Sequence, residues 1–180
     1  MTPVEAVEYL SSDEYDWKVS RNNFREFSSN SQSDEAYELL KVLLSDFSNS
    51  KNHRVPLAIK WLGDDRALPL LIELIKDPKT QGYRSTLINA VSGFNPYEHI
   101  ELFVELLVSG SHDVVRECAN VIDNLDGDIA DEVLLRCIDK LTLAKDECLV
   151  PDKKNIILYI LSLFDENTEC EFDSSIYEYE

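Results

Sequence analysis

Thirty-five carboxylates, three histidines and four cysteines are the groups of this 180-residue chain with the chemistry to work on a substrate or hold a metal. Their spacing supports neither. His53, His99 and His112 lie far apart in sequence, and none has a partner at a metal-binding spacing such as His-Glu-x-x-His. His53 stands beside Arg54 and His112 opens an expected helix, so both read as surface or capping groups. Cys118, Cys137, Cys148 and Cys170 form no Cys-x-x-Cys pair and suggest neither a zinc site nor a disulfide framework. Cys118 and Cys137 fall in apolar columns and behave as small core side chains, whereas Cys148 and Cys170 fall in an expected connection and in the tail. The glycine patterns that cradle phosphates are missing, as is Gly-x-Ser-x-Gly. Two carboxylates can divide general-acid and general-base work in glycoside cleavage. Acids this dense on helices, however, normally form a solvated face. No catalytic residue, no metal site and no cofactor is expected.

The carboxylates do carry charge, and it is unevenly placed. Seventeen bases against thirty-five acids give a net charge of −18 and a pI near 4.4. Sequence-independent nucleic-acid binding is driven by cations that displace phosphate counterions, so that class is excluded. No apolar run approaches the ~20 residues that span a bilayer. The opening Met1-Thr2-Pro3-Val4-Glu5 lacks the basic and apolar regions of a secretion signal, and the expected setting is cytoplasmic and reducing. Residues 51–84 hold seven bases against four acids. Residues 95–135 hold Arg116 alone against ten acids, and 165–180 hold seven acids and no base.

Helices must position these charges. Apolar residues recur at three and four, and no stretch alternates long enough to demand a strand, so an all-α fold of about nine short helices is expected. Thr2-Pro3-Val4-Glu5 has the grammar of a capping box with proline in the first turn, and Asn95-Pro96-Tyr97-Glu98 repeats it. Asp64 is placed to cap a helix; Gly63 and Gly110 are placed to close one. A five-residue pattern, apolar-apolar-charged-apolar-apolar, then returns at Leu39–Leu43, Leu71–Ile75, Phe103–Leu107 and Leu134–Ile138. Ahead of it runs a second series, Arg21, Arg54, Arg84 and Arg116, each opening an amphipathic stretch. Helix pairs at a period near 32 residues mean an α-solenoid.

The run from Trp61-Leu62-Gly63-Asp64-Asp65-Arg66 through Leu71-Ile72-Glu73-Leu74-Ile75-Lys76-Asp77-Pro78 resembles a HEAT repeat of the phycobilisome-lyase-like kind. Asp113-Val114-Val115-Arg116-Glu117-Cys118-Ala119 resembles the opening of that family's first helix. The resemblance is close over 54–78, fair over 83–141 and weak over 13–47 and 152–164. It implies a short right-handed α-solenoid of about four helix pairs plus terminal helices, in one domain over 1–164. The repeats would lie near 13–47, 52–77, 82–109 and 112–141, with an extra helix at 3–11 and a closing helix at 152–164. It also implies that Lys41, Glu73, Glu105 and Arg136 form one row of the inner face, beside Tyr37, Pro69, Glu101 and Glu132. Thr142–Pro151 is expected to lengthen the last connection. The 165–180 tail reads either as a solvated end or as an arm held by Phe172, Ile176, Tyr177 and Tyr179.

On the helix expected from Pro96, Glu98, Glu101 and Glu105 fall on one face. The next inner helix is expected to contribute Asp128, Asp131 and Glu132, and helices packed ~8–10 Å apart would merge the two sets into one anionic surface. Such a surface either keeps the protein soluble or receives a basic partner. The second reading makes these six acids, with Tyr97 as an anchor, a partner-binding site. A small, acidic, non-catalytic solenoid, monomeric when free, resembles the immunity proteins that neutralise basic nuclease toxins. The alternatives are a generic HEAT adaptor for cellular proteins and, more remotely, a phycobilin-lyase-like protein.

Overall fold

The computed structural model describes residues 1–46 and 50–164. Both readings of the acidic tail, and Cys170, lie outside them. Among the described residues every regular element is helical, as expected.

Helix starts follow local chemistry. The Thr2 hydroxyl accepts from the Glu5 amide and the Glu5 carboxylate accepts from the Thr2 N–H, closing a capping box ahead of α1 (Pro3–Tyr9). Asp16 accepts from the Lys18 and Val19 amides and starts α2 (Trp17–Ser28). α3 (Ser33–Ser45) and α4 (Val55–Leu62) follow, and Gly63 closes α4 at φ 66°, where a side chain would be strained. Asp64 caps a short 3-10 turn, Asp65–Ala67, that leads into α5 (Leu68–Lys76). Then come α6 (Arg84–Val91), α7 (Ile100–Ser109), α8 (His112–Asp123), α9 (Asp131–Glu147) and α10 (Pro151–Phe164).

Three local expectations are corrected. The Asn95-Pro96 segment winds a tight turn over Tyr97–His99, with Pro96 and not Asn95 at the cap position and the His99 amide donating to the Pro96 carbonyl at 2.8 Å. Glu98 therefore precedes α7 instead of riding on it. α9 continues to Glu147, where the sequence suggested a long connection from Thr142; packing on α10 carries the helix past its weakest apolar pattern. Asp128 sits in the loop before α9, not on the helix.

Within the span expected to form one repeat domain, contacts cluster into two compact units, Met1–Asn95 and Pro96–Glu180. In the first, α2 packs on α4 and α4 on α6, while α3 lies against α4 and α5 against α6. Phe24, Phe27, Leu40, Ile59, Leu71 and Leu87 are sealed inside. In the second, α7 packs on α8 and α9, and α10 packs on the same two helices. Phe103, Leu107, Val115, Cys118, Leu141 and Ile157 form its core.

Two members of the arginine series have a structural use. Arg54 donates to the Leu10 and Ser12 carbonyls beyond the end of α1, and Arg84 donates to Ile75 O in the last turn of α5. Lys153 of α10 likewise donates to the Val108 and Gly110 carbonyls at the end of α7. Cations there satisfy orphan carbonyls and face the negative end of the helix dipole.

Candidate functional site

All seven residues singled out from sequence belong to the second unit. The link between the α7 entrance and the loop before α9 is a glycine. Gly127 has a φ of 148°, and a Cβ placed on it would meet the Tyr97 ring at 3.1–3.3 Å. The ring therefore lies flat against bare backbone, which only glycine allows. This contact brings Tyr97 and Glu98 beside Asp128. Tyr97 is half-buried and its hydroxyl approaches Glu98 Oε1 at 3.4 Å. Its ring packs on the loop at Gly127, and part of its surface stays accessible beside Glu98.

Glu101 and Glu105 lie one turn apart on α7, and each meets a cation from α9. Arg136 grips Glu101 through two bonds, Nε to Oε1 at 2.7 Å and Nη2 to Oε2 at 3.2 Å. Lys140 Nζ reaches Glu105 Oε1 at 3.0 Å. Hydrogen bonding from Arg136 holds the Glu101 carboxyl below the usual glutamate range, and the same bond raises Arg136. All four side chains stay largely in solvent, so the ladder steers and orders more than it stabilises.

Beneath the ladder is a cleft of about 290 Å³ between α7 and α9, lined by Glu101, Val104, Arg136, Cys137, Asp139 and Lys140. Cys137 lies buried in it, and burial, reinforced by the Glu101 charge, pushes its thiol up to about 11. A thiol so raised is not a nucleophile at neutral pH.

The remaining acids are exposed. Glu98, Asp128, Asp131 and Glu132 have no salt bridge among the described residues. Asp131 and Glu132 open α9, where the helix dipole favours negative charge. Glu132 also lies one turn before Arg136, the favourable order for an acid–base pair on a helix.

The structure thus brings together Tyr97, Glu98 and Asp128 through Gly127, and Glu101 with Glu105 through α9. Sequence reasoning placed Arg136 in the row beside Glu101 but paired neither it nor Lys140 with these acids. A signal was present. Glu101 and Glu105 are four apart, Arg136 and Lys140 are four apart, and each pair spans 35 residues. Equal offsets are what two helices aligned in parallel require. No group of histidine, cysteine and acidic side chains among the described residues has the arrangement of a metal site, and none of their helices is long and apolar enough to cross a membrane. No protein-family model, curated protein or solved structure matches this chain.

Proposed function

We propose that this protein is a non-catalytic docking protein whose second unit receives a cationic protein surface, as an immunity protein does with a basic nuclease toxin. The observation that carries the reading is the charge left after internal pairing. Residues 96–164 hold fourteen acids against six bases. Arg136 and Lys140 are already committed to Glu101 and Glu105. Glu98, Asp128, Asp131 and Glu132 remain as exposed negative charge at one end of α7 and α9. Like charges kept close repel one another, and a partner of opposite sign relieves that repulsion while gaining speed and orientation on approach.

Each unit is read here as stacked helix pairs of HEAT type. The support is the repeat in sequence and the packing of α2 on α4, α4 on α6, α7 on α9 and α8 on α10. In such a stack the second helices offer a continuous face to a partner.

The test is affinity capture at low ionic strength with elution by a salt gradient. A basic protein released only at elevated salt, whose activity falls when this chain is added, is the expected result. Retention of neutral proteins irrespective of salt would overturn it in favour of an adaptor that works through apolar contacts.

A further inference from the structure

α9 turns a buried side, a paired side and an adjoining exposed side to its surroundings. Arg136 and Lys140 lean toward α7 and are matched there, while Cys137 and Leu141 face the core. At 3.6 residues per turn, Glu132, Leu135, Asp139, Leu143 and Asp146 fall within an arc of about 80° that adjoins the ladder, with Asp139 also bordering the α7–α9 cleft. That side carries no base and bears two aliphatic side chains in water. Leu135 is 60% exposed and Leu143 66% exposed. The three acids repeat every seven residues, and Asp146 also meets the neighbouring Lys145 at 3.6 Å. The leucines stand eight residues apart, about 12 Å along the axis at 1.5 Å per residue.

Exposed leucines flanked by acids at heptad spacing are costly on a surface whose only task is solubility. They match what a second helix presents in a parallel or antiparallel pair, an apolar seam with charges along its borders. Resting on the docking reading above, we infer that this face of α9 is the contact strip, and that its occupant is a cationic amphipathic helix of the partner. Two apolar side chains two turns apart would cover Leu135 and Leu143. Lysines or arginines at seven-residue spacing would meet Glu132, Asp139 and Asp146. Charge complementarity favours this occupant over the chain's own tail, whose seven acids and no base would face acids on the strip.

The experiment uses the full chain and three labelled probes: an amphipathic lysine–leucine helix, a scrambled peptide of the same composition, and an oligolysine of equal charge. Fluorescence anisotropy at low salt should show the amphipathic probe binding about tenfold or more tightly than the scramble, as buried apolar anchors add to charge. Leu135→Ser with Leu143→Ser should erase that margin and leave oligolysine binding unchanged. Val42→Ser, equally exposed on α3, should leave the margin intact. Equal binding of helix and scramble, or a margin that survives the leucine changes, overturns the strip while the docking reading stands. Failure of all three probes to bind overturns both. Two further results would replace the occupant: a dimer in sedimentation that the leucine changes dissolve, or tighter peptide binding once Phe172, Ile176 and Tyr177 are changed to serine.

Discussion

The cleft between α3 and α5 in the first unit and the cleft between α7 and α9 in the second are lined by helices that carry the same five-residue sequence pattern, and the charges at the two clefts are handled differently. The first encloses about 240 Å³ among Lys41, Leu44, Ser45, Leu70, Glu73, Leu74 and Asp77. Its cation stays on its own helix: Lys41 pairs with Glu38 at 3.5 Å and lies over the Tyr37 ring at 5.7 Å. Glu73 and Asp77, across the cleft, receive nothing from it. In the second, Arg136 and Lys140 both cross from α9 to α7. Residues 1–95 balance fourteen acids with eleven bases, whereas 96–164 set fourteen against six. Where bases are plentiful they serve several purposes: Lys41 stays on its own helix, Arg54 and Arg84 hold helix ends, and Arg66 pairs with Asp64 and crosses to Asp34 of α3 at 2.7 Å. Where bases are scarce, two of the six form the ladder to Glu101 and Glu105, and Glu98, Asp128, Asp131 and Glu132 beside it form no salt bridge among the described residues. The lesson is that one sequence pattern of apolar positions can carry two electrostatic surfaces, because the charged residues within it face solvent and packing leaves their sign unspecified.

If the two units differ in surface and not in core, equivalent core losses should cost the same. Phe24→Ala and Phe103→Ala each empty a fully buried site and should each lose about 3–5 kcal/mol in chemical denaturation. A much smaller loss in one unit would show that the cores are unequal as well. The glycines come next. Gly127→Ala forces a Cβ against the Tyr97 ring at positive φ and should cost about 1–3 kcal/mol. Gly63→Ala meets open space at its positive φ and should cost only about 1 kcal/mol, so melting temperatures should separate the pair. A larger loss at Gly63 would remove the Tyr97–Gly127 contact from the account.

Charge reversal addresses the surfaces directly. Asp128→Lys with Asp131→Lys should slow association with a cationic partner about tenfold at low salt, while Glu73→Lys in the first unit changes it little. Stopped-flow rates across a salt series would decide, and equal effects would abolish the distinction between the clefts. The pH dependence is smaller. Glu101 is held below its unfolded value, so its pairing contributes above the ordinary glutamate range of about 4.3 and is lost as pH falls through the lower folded value. A Glu101→Gln variant should therefore show less acid destabilisation than the parent, as melting curves between neutral pH and the acid range would reveal. The mildest test is chemical. Iodoacetamide at neutral pH should spare Cys137 and label Cys148, read by peptide mapping, since burial pushes the first thiol up to about 11 and the second is only half-buried.

Much of the helical layout was written locally. The Thr2–Glu5 box, the Asp64 cap and the Gly63 closure all form where their residue types placed them. The local signals failed where tertiary packing outvoted them. Thr142–Glu147 lacks a clear apolar pattern, yet it remains helical because α10 lies along α9. Asn95-Pro96 has the look of a cap, but the chain there must bring Tyr97 onto Gly127, and it winds tightly to do so. The candidate site was half legible. Its acids could be counted, and the seven-residue spacing of Glu132, Asp139 and Asp146 was open to view.

The sequence by itself determined the all-helical character, the placement of most helix ends and the excess of negative charge, because periodicity, caps and composition are local or additive properties. Only the tertiary structure decided which acids are answered. Glu101 and Arg136 are 35 residues apart in the chain and 2.7 Å apart in space, while Asp128 and Asp131, nearer to Arg136 in sequence, form no salt bridge. An ion pair depends on distance after folding, and so does the exposure of Leu135 beside the burial of Cys137 two residues away.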